Sequence, residues 1–319
     1  MGIFVLGAGA WGTAIANVLA VNNEEVILYA REKEVVESIA KTRINEPFLP
    51  NIKLAKNIRA TNDFDEYKNC KYIFCVTPAQ YLRFQVEEMK EDKVAMDKVF
   101  VILSKGIENQ SLKLMSEVFE EFLPNDYAIL SGGTFASETA EYQSSSVSIS
   151  SKHDEIALDV KEIIETDFFI GHVNSDIIGS QVCGALKNVV AIACGIAKGL
   201  NQGENSKASL ITRGMKEISV LNTALGGRAE TLHEPCGIGD LVLTCNSTMS
   251  RNYSFGVKLG TGEETRETIK KKKHVVEGMA TADSLNNLMQ EHGISLGLCK
   301  TVYNIINGKM KPEEILKLV

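Results

Sequence analysis

Ile3-Phe4-Val5-Leu6-Gly7-Ala8-Gly9-Ala10-Trp11-Gly12 is the stretch that decides the fold. Four apolar residues run straight into G-x-G-x-x-G, and a helical pattern follows. In such a turn the first glycine permits the tight bend. The second lets a pyrophosphate come against the backbone, and the third lets helix and strand pack closely. The N-terminus of the helix then offers N–H groups and a positive dipole end to phosphate. A purely structural glycine turn has the same spacing. Position separates the two readings, because this one sits at the first strand of an alternating strand–helix series.

Working outward, residues 3–6, 26–29, 72–76, 99–103 and 128–130 are apolar and β-branched, as strands buried on both faces should be. Amphipathic stretches at 11–21, 32–41, 80–88 and 112–122 lie between them as helices. Residues 146–150 and 168–170 read as two further strands, with 154–165 as the helix between. This alternation predicts an α/β, Rossmann-type doubly wound sheet. After about residue 175 no strand pattern recurs. Ile178, Val182, Leu186 and Val190 repeat at four-residue steps, the mark of a largely buried helix. Gly179, Gly184 and Gly195 fit such a helix if another backbone packs closely there. Further helices are expected at 208–225, 250–259, 280–290 and 297–307. The expected organisation is a dinucleotide-binding domain over 1–175 and an all-α substrate and catalytic domain over 176–319.

The composition narrows the function. A net charge of -7 over 319 residues provides no diffuse positive field for nucleic acid or an acidic membrane. A small anion must be held by a local basic pocket. Seven cysteines, none in C-x-x-C spacing, read as reduced thiols in a cytoplasmic protein without a metal site. No charged residue occurs from Met1 to Asn23, yet no basic n-region precedes the apolar stretch. That argues against a secretory signal. No segment reaches the ~20 continuous apolar residues of a membrane span. The basic run at 270–273 reads as a solvated turn.

Three features carry chemistry. Arg31 stands 31 − 12 = 19 positions past Gly12, where NAD-specific folds place an acidic residue on the ribose. A guanidinium there suits the 2′-phosphate of NADP, so NADP(H) is preferred while NAD(H) stays open. A surface arginine beside Glu32 and Glu34 is the other reading. Lys105, in Ser104-Lys105-Gly106, lies at the carboxyl end of a strand, either as a ligand group or as an exposed turn residue. Lys187 lies inside the apolar helix. Burial makes such an amine a proton-transfer candidate, unless it snorkels to the helix edge. Ser250 is placed to cap a helix starting at Arg251, and a buried Asp240 near a lysine would hold the ammonium in place.

The chain resembles the bacterial-type NAD(P)-dependent glycerol-3-phosphate dehydrogenases over essentially its whole length. The likeness rests on Gly7-Ala8-Gly9-Ala10-Trp11-Gly12-Thr13-Ala14, Ser104-Lys105-Gly106-Ile107-Glu108 and Cys183-Gly184-Ala185-Leu186-Lys187-Asn188-Val189. Thr212-Arg213-Gly214, Gly239-Asp240-Leu241-Val242-Leu243-Thr244-Cys245, Ser250-Arg251-Asn252 and Val275-Val276-Glu277-Gly278 add to it. The resemblance implies reversible reduction of dihydroxyacetone phosphate to sn-glycerol 3-phosphate, feeding glycerophospholipid synthesis. It implies Lys187 as the proton donor or acceptor, and the chemistry of ketone reduction adds Lys105 to assist at the carbonyl and Asp240 to orient an ammonium as catalytic groups. Lys105, Gly132, Thr134, Asp240, Ser250, Arg251 and Asn252 match substrate positions. Gly7, Gly9, Ala10, Trp11, Gly12, Arg31, Phe48, Lys105, Ala136, Arg251, Val275 and Glu277 match cofactor positions. A homodimer is a further implication of the likeness. Gly133 replaces a usual proline, and residues 233–239 depart from the usual glycine-rich stretch. Two competing readings are a β-hydroxyacid dehydrogenase, which has no use for Arg251 at a helix start, and a non-catalytic dinucleotide sensor, which has no use for the lysines.

Overall fold

Central strands need side chains that are apolar on both faces, and this chain supplies them in short runs. Ile3–Leu6 (β1), Val26–Tyr29 (β2), Tyr72–Cys75 (β6), Val99–Ile102 (β7) and Tyr127–Ser131 (β8) are almost wholly buried. With Ile58–Thr61 (β5), Ser145–Ser150 (β9) and Phe169–Asn174 (β10) they form one sheet in the order β10-β9-β8-β7-β6-β1-β2-β5. Every adjacent pair is parallel except β8 and β9. A separate antiparallel pair joins Ile44–Asn45 (β3) to Leu49–Lys53 (β4). Strand succession runs from β1 through β2 to β5 on one side, then resumes at β6 on the other. That reversal is the switch point at which doubly wound sheets take their ligands. The computed structural model describes residues 2–91, 96–264, 268 and 276–319.

The sheet belongs to a first unit, Met1–Ser104 with Ser116–Ile177. The second unit is Ile178–Val319 together with Lys105–Met115. This excursion was not anticipated. Leu112 has φ 59°, a left-handed conformation that no helix interior accepts, so the helix expected over 112–122 shrinks to Met115–Glu120. Ile107 and Leu114 form an isolated bridge and enter the core of the second unit instead. β5 was also missed. Its Arg59 is solvent-facing and only four residues long a run carries the pattern, as befits a sheet edge.

In the second unit the described residues after 177 form helices and turns. Ile177–Gly199 is the centre, with Val182 through Ala197 almost continuously buried. It shares one apolar core with Leu210 of Glu204–Ala224, Leu241 of Asp240–Asn246, Leu285 of Glu277–His292 and Leu298 of Gly297–Ile306. Among the described residues this is the one helix long and apolar enough to cross a membrane, and 94% of that window is buried inside the chain. The close approach expected at Gly195 is present. A Cβ on Gly195 would lie 2.1 Å from the Tyr253 carbonyl oxygen and 2.9 Å from Gly256 Cα, in the helix Arg251–Thr261. Gly195→Ala is therefore expected to force these backbones apart and lower stability by about 1–3 kcal/mol. Urea unfolding should show a lower midpoint at unchanged slope.

Candidate active site

In the first unit, a candidate nucleotide site is built on the turn after β1. Gly7 has φ +118°, and a Cβ on Gly12 would sit 1.7 Å from the Gly7 carbonyl oxygen, so no larger residue fits this strand–helix contact. A Cβ on Gly9 would meet nothing within 4 Å. The helix Ala10–Asn22 starts there with no side-chain cap and no acidic residue in its first turn. Its amino end thus offers N–H groups to an anion that can approach closely, which fits the diphosphate of a dinucleotide. Arg31 follows β2 with a side chain 82% exposed, 3.4 Å from Glu32. Trp11 is half-buried against the sheet core, and Phe48 is exposed in the turn between β3 and β4. Gly132 follows β8, and its Cβ position falls 2.8 Å from the Ser146 carbonyl oxygen, which gives this glycine a packing role. Thr134 is partly exposed, and Ala136 opens the short helix Ala136–Ala140. Val275 and the run at 270–273 lie outside the described residues.

The second unit carries a charged cluster of its own. Asp240 is fully buried at the first position of the helix Asp240–Asn246, where the dipole favours a carboxylate. Lys187 Nζ donates to Asp240 Oδ1 at 2.5 Å, and Lys105 Nζ donates to Asp240 Oδ2 at 2.8 Å. Lys187 Nζ also reaches Thr244 Oγ1 at 3.1 Å, and that hydroxyl donates to Asp240 Oδ1 at 3.0 Å. Lys187 is 9% exposed, which rules out snorkelling, and Lys105 is anchored rather than free in a turn. Burial pushes the Lys187 ammonium down to about 8, against the upward pull of Asp240. Burial also works to raise the Asp240 carboxyl, but the two ammonium groups outweigh it and hold it below its ordinary range. Two cations on one anion leave the cluster with a net charge of +1.

Ser250 caps the helix Arg251–Thr261, its Oγ accepting from the Tyr253 N–H at 3.2 Å, so Arg251 sits exposed at the helix start as expected. Asn252 is buried, and its amide is already engaged. Nδ2 donates to Asn188 Oδ1 at 2.8 Å and Oδ1 accepts from the Gly278 N–H at 3.0 Å. This ties the neighbour of Lys187 to the neighbour of Glu277. Burial raises the Glu277 carboxyl above its ordinary range, opposed by Arg251, Lys187 and Lys105. Sequence reasoning had passed over Thr244 and Asn188. Thr244 was findable, since a hydroxyl four residues beyond Asp240 on one helix shares its face.

Comparison with known proteins follows this geometry. The model of the NAD-dependent glycerol-3-phosphate dehydrogenase N-terminus matches residues 2–157, and that of its C-terminus matches residues 176–317. The NAD(P)+ glycerol-3-phosphate dehydrogenase of Parvibaculum lavamentivorans is 40% identical over 313 residues, 98% of this chain and 94% of that protein. The one from Caulobacter vibrioides is 41% identical over 307 residues, 96% and 92% of the two chains. The crystal structure of glycerol-3-phosphate dehydrogenase from Coxiella burnetii matches with a TM-score of 0.94 at 33% identity, covering 99% of this chain and 97% of that one.

The electrostatics of the cluster predict a titration. Asp240→Asn removes the charge that supports the Lys187 ammonium, so the Lys187 pKa should fall below about 8. The drop should be about 1–3 units, the usual effect of an opposite charge at contact distance. Lysine-selective NMR of Nζ across a pH series reads it directly, and an unmoved midpoint would contradict the pairing.

Proposed function

This chain belongs to the NAD-dependent glycerol-3-phosphate dehydrogenase family, and from that premise we propose that it interconverts dihydroxyacetone phosphate and sn-glycerol 3-phosphate with NAD(P)H. The first unit serves as the dinucleotide-binding domain, and the second as the substrate and catalytic domain. When bound, the nicotinamide supplies or accepts the hydride. One observation carries the reading, a buried Lys187 ammonium held by Asp240 in a cluster of net positive charge.

As the carbonyl carbon is reduced, negative charge grows on its oxygen. Lys187 Nζ is the proton donor to that oxygen, and its lowered pKa suits transfer near neutral pH. Asp240 stays ionised throughout, and Thr244 Oγ1 fixes the direction of the Lys187 N–H bonds. Lys105 stabilises the developing oxyanion. Arg251, at an exposed helix start, and Thr134 grip the substrate phosphate. The buried amide of Asn252, anchored by Asn188 and Gly278, joins them at the phosphate through its second Nδ2 N–H. Trp11, Phe48, Ala136, Val275 and Glu277 are assigned to the dinucleotide on family likeness.

Arg31, exposed and paired only weakly with Glu32, supports a preference for NADPH through its 2′-phosphate. The seven cysteines, all buried and none in a disulfide, support a reducing, cytoplasmic setting. The likeness to the family supports a homodimer, which sedimentation analysis tests.

Absorbance of NADPH and NADH with dihydroxyacetone phosphate as oxidant tests the activity itself. Lys187→Met should cut turnover by about 10²–10⁴-fold while NADPH binding stays nearly intact. Unchanged turnover would sink the role of Lys187. Reduction requires the protonated amine, so its rate should fall as pH rises through about 8, and oxidation should gain over the same interval. Dihydroxyacetone, lacking the phosphate, should be a far poorer substrate. Equal rates would return the case to a phosphate-independent dehydrogenase.

A further inference from the structure

Asn45 belongs to no motif singled out in the sequence, yet it is fully buried beneath the glycine turn. Its Nδ2 donates to the Ala8 carbonyl oxygen at 2.9 Å and to Thr13 Oγ1 at 2.7 Å. Thr13 Oγ1 itself reaches the same carbonyl at 3.4 Å. A carbonyl only accepts, so these partners fix which end of the amide faces the turn. Asn45 Oδ1 is left buried with no donor. An orphaned buried acceptor weakens a fold, so stability alone does not account for an amide at this position.

The consequence falls on the Ala8–Gly9 peptide. No peptide in the described chain is cis, and in a planar trans peptide the N–H points opposite to the carbonyl. With the Ala8 carbonyl drawn toward Asn45, the Gly9 N–H is turned away from Asn45, and the space beside Gly9 is open. A reversed peptide would present a carbonyl oxygen in place of that N–H and repel a phosphate. The Asn45 carbonyl also accepts from the Phe48 N–H at 3.2 Å, so one residue ties the glycine turn to the turn that carries Phe48.

We propose that Asn45 is a positioning residue for the dinucleotide diphosphate, locking the Ala8–Gly9 peptide with its N–H toward the anion. The inference rests on the nucleotide reading given above and names a residue that the reading does not use. It concerns binding, so turnover is not needed to see it.

Trp11, the chain's sole tryptophan, lies within the glycine motif, so quenching of its emission is the readout for bound reduced nucleotide. In Asn45→Ala the dissociation constant of NADPH should rise about 10- to 100-fold, the worth of one hydrogen bond to a charged group. 2′-Phospho-ADP-ribose, which keeps the diphosphate, should weaken in the same proportion when it displaces NADPH. Adenosine 2′-phosphate, which lacks it, should displace with unchanged affinity. Urea unfolding establishes that the variant is folded. If Asn45→Ala does not fold, Thr13→Val, which removes the hydroxyl receiving the same amide, carries the test with the same three ligands. NADPH binding within about twofold of the unaltered chain, or an equal loss for adenosine 2′-phosphate, overturns the assignment of Asn45. Absence of Trp11 quenching by NADPH in the unaltered chain overturns the nucleotide reading beneath it.

Discussion

One carboxylate holds two ammonium groups out of water, and the chemistry of the second unit depends on that arrangement. An isolated ammonium in the apolar helix Ile177–Gly199 would cost several kcal/mol or give up its proton. Asp240 offsets this at contact distance, and its own burial is offset in turn by both lysines and by the amino end of its helix. The balance is deliberate in its incompleteness. A second carboxylate would neutralise the cluster and raise the Lys187 pKa away from neutrality. A single one leaves positive charge for an incoming anion and an amine that gives up its proton readily.

In the proposed function, the two units address anions by different physical means. The glycine turn offers backbone N–H groups and a dipole, with no acidic residue in the first turn of its helix and with Arg31 just after β2. Such a site depends on peptide orientation, which is why a buried amide beneath it matters. The lysine cluster instead uses full charges, whose placement depends on side chains braced by Thr244, Asn188 and Asn252. Both devices are local, in a chain whose total charge is -7 and would otherwise repel phosphates.

Much of this was readable in the sequence because the governing patterns are local. The Rossmann-type sheet followed by a helical part is the observed architecture, and the run after Gly12 and the buried helix around Lys187 lie where periodicity put them. What escaped reading depends on contacts distant in sequence. β5 is an edge strand whose Arg59 breaks the apolar pattern. The helix Asp240–Asn246 is only two turns long, preceded by the irregular turn Pro235–Gly239, so no full helical period shows. The partners of Asn252 were hidden as well, because nothing in one dimension reveals its contacts with Asn188 and Gly278. Asn45 was invisible for the same reason, its partners being 37 and 32 residues away.

The excursion Lys105–Met115 makes the second unit discontinuous in the chain. During synthesis this segment emerges before any of residues 178–319, so its apolar side chains Ile107 and Leu114 must wait for a core that does not yet exist. Genetic recombination meets the same constraint. A cassette holding only residues 178–319 would lack two members of its own interior and one of the two cations that steady Asp240. Exchange of this unit between relatives therefore has to carry a short internal piece of the neighbouring coding region along with it.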